Sequence, residues 1–367
     1  MGLRLKRAVR PLTAGWERVP VHPRGTTPLG ISFRPLQAAA LGLDPDAALR
    51  ELLEYPFQVI RLAAYWNRLE PVRGAFDPGE TDRLLDAAER AGKHVIMCVG
   101  PVKAFGYPEF FVPGHHLPQP LREGRLVTPG EHQELLRAGT AFAARVVERY
   151  RDREAVIAWQ VEHEAADPLG MEHSWRLAEA FIRAEVDAVR AADPTRPVMM
   201  NGFLPTSTPV AFQQWWRTRD QGDSLAVARR LADVLGVDFY PRHALAKAGP
   251  LTLYLDGGRS RWQRLRLERL LGRAARDGRR VLIAEGQAEP WEAVTTPPSP
   301  PGRAMYSCRP EDLIRNYSRC LRCAHASNVT LEGYLFWGAE YWLLRDRQGD
   351  PSYLRAFQRI LRGPGFA

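Results

Sequence analysis

The chain has 367 residues, of which 45% are apolar and 10% aromatic, enough to bury a large core and too much for a disordered or fibrous sequence. Lys+Arg is 51 against 42 Asp+Glu, a net charge of +9, but only Lys6, Lys93, Lys103 and Lys247 are lysines and the arginines form no block, so the excess reads as solvated surface and no nucleic-acid partner is expected. No apolar run approaches the roughly 20 residues of a membrane span, the basic stretch Met1 to Arg10 leads into Pro11, Gly15, Glu17 and Arg18 and not into an apolar signal core, and four cysteines are too few for a disulfide framework; a cytoplasmic location is expected.

Along the chain, short apolar, β-branched runs alternate with longer stretches of helical period. Eight strand–helix pairs are predicted: Gly30–Phe33 with Asp44–Tyr55, Gln58–Ala63 with Pro78–Lys93, His94–Val99 with Glu131–Arg151, and Val156–Val161 with Glu172–Ala192. Val198–Asn201 with Ser224–Leu235, Val237–Tyr240 with Ser260–Asp277, Val281–Ala284 with Pro310–Ala326, and Gly333–Trp337 with Pro351–Arg362 complete the series. Such alternation calls for a parallel sheet covered by helices. Asp77 before Pro78, with Glu80 three residues on, is a strong helix start, and Asp44 before Pro45 a weaker copy. The Asp193–Pro197 segment ends the fourth helix, because proline cannot continue the ladder.

The long connections, Gly100 to Gly130 and Gly286 to Arg309 (with Pro298, Pro300 and Pro301), follow strands. In a (β/α)8 barrel those loops build the active site. The predicted fold is therefore a single-domain α/β (β/α)8 TIM barrel over residues 1–367, with a core from about 28 to 365 and an N-terminal extension at 1–27. An open doubly wound sheet is the alternative, but no GxGxxG loop follows an early strand.

Residues closing barrel strands point over one central mouth. Arg61 lies in the second strand, Glu162-His163-Glu164 ends the fourth, Asp238 and Tyr240 end the sixth, Glu285 ends the seventh and Trp337 the eighth. Charged groups capping apolar strands need partners or a task. Two carboxylates facing each other across a mouth meet the minimum for glycosidic hydrolysis, one protonating the leaving oxygen while the other attacks the anomeric carbon. Mutual repulsion raises the pKa of one, a nearby cation such as Arg61 holds the other ionised, and Trp337 offers a flat surface for a sugar ring. Glu162 and Glu164 sit two residues apart on one predicted strand, so both are expected on the same side; Glu164, nearer the end, is preferred as the acid.

These residues carry a family resemblance. Ile60-Arg61-Leu62 with Tyr65-Trp66 and Glu70-Pro71 through Gly74-Ala75-Phe76-Asp77 resembles the second βα unit of clan A glycoside hydrolases, near family 5 cellulase-like and family 42 β-galactosidase-like enzymes. Val156 to Glu164, Ala284 to Trp291 and Phe336 to Trp342 are similar to their fourth, seventh and eighth strands. The resemblance covers roughly Gly30 to Trp342. It implies Glu164 as general acid/base and Glu285 as nucleophile in a retaining, cofactor-free β-glycoside hydrolase acting on a carbohydrate, with Arg61 and Tyr240 beside the nucleophile and Trp337 beneath the first sugar. Two positions depart from the pattern. His163 stands where an asparagine usually holds the sugar 2-hydroxyl, and Asp238 stands where family 5 often carries a histidine.

Two other functions fit the same residues. A metal-dependent barrel, of the sugar-isomerase or abasic-site endonuclease type, would use Glu162, His163, Glu164, Asp238 and Glu285 as ligands; a barrel that binds glycans without cleaving them is the other. Away from these strand ends, Phe105, Tyr107, Phe110, Phe111, Trp291 and Tyr341 are candidate subsite aromatics, although each alone is more often packing. Cys320-x-x-Cys323 with His325 is read as helix core, since no second CxxC pair completes a zinc set. The His115-His116 pair is read as a solvated loop feature, with substrate contact as its other option.

Overall fold

A computed structural model describes residues 15–363 except 107, 118, 120, 122–123, 168–174, 249–250, 257–260 and 291–306. Eight strands close a barrel: β1 (Leu29–Ser32), β2 (Val59–Ala63), β3 (His94–Cys98), β4 (Val156–Gln160), β5 (Val198–Phe203), β6 (Val234–Phe239), β7 (Arg280–Gln287) and β8 (Tyr334–Trp337). Each pairs in parallel with its neighbours in chain order, and β1 closes against β8 with Leu29 opposite Tyr334 and Ser32 opposite Trp337. The helices Pro45–Leu53, Gly79–Arg90, Gln133–Tyr150, Glu179–Ala192, Ser224–Leu231, Arg261–Arg276, Pro310–Ala326 and Ser352–Arg362 follow the strands in turn. This is the single-domain TIM barrel expected from the alternation.

Inside the barrel, Val59, Ile96, Ala158, Met199, Val234, Leu282, Ala284 and Leu335 form one apolar layer. Side chains alternate faces along a strand, so residues two positions further on also face inward. That parity carries Arg61, Gln160, Asn201, Asp238 and Trp337 to the mouth from β2, β4, β5, β6 and β8.

Several boundaries differ from the pattern-based reading. Strand β6 starts three residues earlier than expected, at Val234, and the helix before it stops at Leu231; the run Val234-Leu235-Gly236-Val237 suits either period, and the barrel decides. Between β4 and the next helix, Arg176–Leu177 is a short strand paired with Leu126–Val127, so that helix begins at Glu179. Asp44 is the cap that works through its side chain, accepting from the Ala47 amide at 2.7 Å. Asp77 instead bonds the Gly79 amide at 3.0 Å, Pro78 takes the cap position, and the helix starts one residue late. From the N-terminal extension, Trp16 is buried and its carbonyl accepts from Arg359, while the His22 carbonyl accepts from Tyr317; the prolines at 298, 300 and 301 lie outside the described residues.

Candidate active site

Glu285 reaches the mouth because β7 is irregular. Its register against β6 shifts between Ile283 and Glu285, and against β8 between Ile283 and Gly286. Ala284 belongs to the inner layer, whereas a Cβ on Gly286 would meet the Tyr334 hydroxyl at 2.1 Å on the outer face. Glycine is required there, and the extra residue of the bulge turns Glu285 inward beside Ala284.

Its carboxylate is held from both sides. Arg61, fully buried, donates to Oε1 at 2.8 Å, and the Tyr240 hydroxyl donates to Oε2 at 2.5 Å. Arg61 is in turn fixed by Nε to Gln160 at 2.6 Å and by stacking on Phe105, 4.0 Å from guanidinium carbon to ring centroid. Burial, then the Glu285 and Asp238 charges, push the Tyr240 phenol upward, so it remains a proton donor.

The chain after β4 does something the strand pattern does not announce. The strand ends at Gln160, and both Glu162 (φ 57°) and Glu164 (φ 43°) take left-handed conformations, each costing roughly 1–2 kcal/mol for a side chain with a Cβ. Lys103, from the loop after β3, offsets that strain. Its carbonyl accepts from the His163 amide at 2.8 Å, its amide donates to Glu162 at 2.5 Å and its ammonium donates to the Glu164 carbonyl at 2.7 Å. The expectation that Glu162 and Glu164 share a side is corrected by this turn: Glu162 is buried away from the mouth, bonding the Val102 and Lys103 amides and facing the buried carboxyl of Glu185.

Glu164 is partly exposed at the mouth. Desolvation first, then the charges of Asp238, Asp167 and Glu285, push its carboxyl well above the ordinary range. His163 is neutral, lowered by burial and then by Arg61 and Lys103. Its Nδ1 faces the donors Asn201 Nδ2 at 3.0 Å and Arg61 at 3.4 Å, which places the ring proton on Nε2. Asn201 also donates to Asp238 at 2.6 Å and accepts from Gln160 at 3.0 Å.

All six expected site residues, Arg61, His163, Glu164, Tyr240, Glu285 and Trp337, thus gather at one end of the barrel. Trp337 is only 9% exposed, with the Arg34 guanidinium 4.3 Å from its ring centroid and Phe105 edge-on, so little of it is open to a ligand. Arg34 itself escaped the sequence reading. It follows β1 and forms a buried cluster with Glu289 (2.8 Å) and Glu340 (2.6 Å). Both glutamates stand in the motif runs of the seventh and eighth strands, a signal that could have drawn attention to them. Gln160, Asn201 and Lys103 were also missed, since an amide in a strand and a lone lysine in a loop carry no pattern of their own. Among the loop aromatics, Phe110 packs on Trp175, Phe111 on Tyr65 and Tyr341 on Tyr353; Tyr107 and Trp291 lie outside the described residues. Cys320 and Cys323 are buried in their helix, and His325 bonds His22.

Residues 46–181, a little over a third of the chain, match the glycoside hydrolase family 42 profile, described as beta-galactosidase. That stretch holds Arg61 and Glu164 and ends well before Glu285. Over that stretch the chain resembles this family, and its fold is that of several solved barrels. Among solved structures, GH5_18 from Streptomyces cattleya, in complex with GlcNAc, is 17% identical over 95% of this chain and 82% of its own, with a TM-score of 0.57. Xylanase 10B from Thermotoga maritima is 15% identical over 93% and 98%, with a TM-score of 0.54. The exo-beta-1,4-mannosidase Op5Man5 from Opitutaceae bacterium strain TAV5 is 17% identical over 85% of this chain, with a TM-score of 0.52; this chain spans 52% of that one. No curated protein matches. Among the described residues, no helix is long and apolar enough to cross a membrane.

Proposed function

We propose that this barrel is a retaining glycoside hydrolase of the clan A type that cleaves O-glycosidic bonds of a β-linked oligo- or polysaccharide, with Glu285 as nucleophile and Glu164 as general acid/base. The observation that carries the reading is the opposite surroundings of the two glutamates. Glu285 has a donor on each carboxylate oxygen, whereas Glu164 stands among carboxylates that push it toward the protonated form. In the first step, the Glu285 carboxylate attacks the anomeric carbon as the glycosidic C–O bond breaks, and the Glu164 proton passes to the departing oxygen. In the second, Glu164, now a carboxylate, takes a proton from water as that water displaces Glu285. Arg61 and Tyr240 position Glu285 through both steps. His163, with its proton on Nε2, offers a donor for a sugar hydroxyl.

The metal-dependent reading has one observation in its favour: His163, Asp238 and Glu285 bring ligand atoms within 4.8 Å of one another. Against it, Arg61 donates to Glu285 and lies against His163, a fixed positive charge where a divalent cation would have to enter, and Glu162 is turned away. The test is hydrolysis of aryl β-glucoside, β-galactoside, β-mannoside and β-xyloside with and without chelator. The expected result is chelator-resistant release of the aryl group from at least one of them, absent in Glu285→Gln. Activity that chelation abolishes, or that the variant retains, overturns the two-glutamate reading. Binding of a matching oligosaccharide without any cleavage supports the glycan-binding barrel instead.

A further inference from the structure

Outside the barrel mouth, three side chains from two loops converge. Glu70 ends the short helix Trp66–Leu69 after β2, and His115 and His116 lie in the 3-10 turn Gly114–His116 of the loop after β3. Glu70 Oε1 is 3.5 Å from His115 Nε2 and 3.3 Å from His116 Nε2. One ligand atom from each residue lies within 4.8 Å of the others. His115 Nε2 is buried and, although 3.5 Å from Glu70 Oε1, makes no hydrogen bond, which leaves its ring nitrogen available to a ligand.

The geometry points to a divalent zinc-type cation site formed by Glu70, His115 and His116. Ligands about 2.0–2.1 Å from a tetrahedral ion are separated by about 3.3 Å along each edge. The two Glu70–histidine separations already have that length, so an ion needs little rearrangement. Two imidazoles and one carboxylate suit Zn²⁺ and leave a fourth position for water or a small anion. Each ligand is oriented from behind. Glu70 accepts from the Gly74 amide at 2.9 Å and from Trp66 Nε1 at 2.8 Å, His116 stacks on Trp66 with centroids 4.7 Å apart, and the His115 carbonyl accepts from Arg73. His116 also lines a cavity of about 580 Å³.

A bound cation ties the loop after β2 to the loop after β3. The latter carries Lys103 and Phe105, which hold the Glu162–Glu164 turn and Arg61. The ion's role is therefore to brace one wall of the mouth, and it takes no part in the chemistry there.

The experiment uses the full chain stripped with chelator, then titrated with ZnCl₂ and followed by calorimetry and thermal melting. One equivalent binds, and at about 100 µM the melting midpoint rises by several degrees, because a ligand that binds only the folded state stabilises it. His115→Ala, and separately His116→Gln, remove both signals; two variants are used so that a folding failure in one is recognised by circular dichroism and leaves the other decisive. Silence in the unaltered chain overturns the site. So does a signal that survives in His115→Ala, and its loss in Asp238→Asn would then move the ion to the barrel mouth.

Discussion

The two glutamates at the mouth sit on opposite walls, and each wall handles charge in its own way. On the β7 wall, Glu285 lies between a guanidinium and a phenol, so negative charge there is compensated before any substrate arrives. Beyond β4, Glu164 faces the charges of Asp238 from β6 and of Asp167, and the backbone carrying it is strained and bolted to Lys103. A carboxyl kept protonated by its neighbours and a carboxylate held by donors are what an acid and a nucleophile require. A bulge directs Glu285 inward, while a left-handed turn separates Glu164 from Glu162.

The largest effect that would break this contrast is on the β7 side. Glu285→Ala loses activity by at least about 10⁴-fold, as expected for a missing nucleophile, and added azide restores part of it as a glycosyl azide of inverted configuration. A variant that azide does not rescue assigns Glu285 a purely structural part. Next comes Glu164→Ala, which slows natural glycosides by about 10²–10⁴-fold, while aryl substrates with acidic leaving groups lose much less. Equal losses on both series, read from kcat/KM, remove the acid role.

Asp238→Asn sharpens the comparison by removing a charge that faces Glu164 from β6 and also lies close to Glu285. The acid works only while protonated, so the rate falls as pH rises through its pKa. Asp238 raises that pKa; its neutralisation moves the alkaline limb of the kcat/KM profile to lower pH, and an unmoved limb separates Asp238 from the acid. The smallest effect concerns the partner that the turn sends away from the mouth. Glu162, buried, is pushed up to about 7 by desolvation, and Glu185 is raised well above the ordinary range for the same reason, reinforced by Glu162. Raised carboxyls bind more protons folded than unfolded, so their contribution is present below about pH 4.5 and is lost as pH rises through 7. Glu185→Gln removes one of these titrations. Denaturant melts at pH 5 and pH 8 are expected to show a smaller decline for the variant, by about 1 kcal/mol.

Much of the barrel was legible because its signals are local. Apolar β-branched runs such as His94–Cys98 and helices such as Pro310–Ala326 declare their period within a dozen residues, and parity alone places Arg61 and Trp337 on the inner face. Legibility failed wherever a long-range contact overrides a local rule. The Val156 to Glu164 run reads as one strand, but pairing with β5 ends at Gln160, opposite Met199, and Lys103, some sixty residues away, stabilises the turn that follows. Arg34 escaped because its two partners lie more than 250 residues further along the chain.

The sequence by itself determined the alternation of strands and helices, the long loops on one face, and the presence of Glu164 and Glu285 at strand ends, because hydrophobic period and turn residues act over short distances. Only the tertiary structure decided which way those ends point. Glu285 turns inward because Tyr334 leaves no space for a side chain at Gly286, and Glu162 and Glu164 part company because backbone groups of a different loop satisfy one of them. These are contacts between segments far apart in the chain, and no local pattern encodes them.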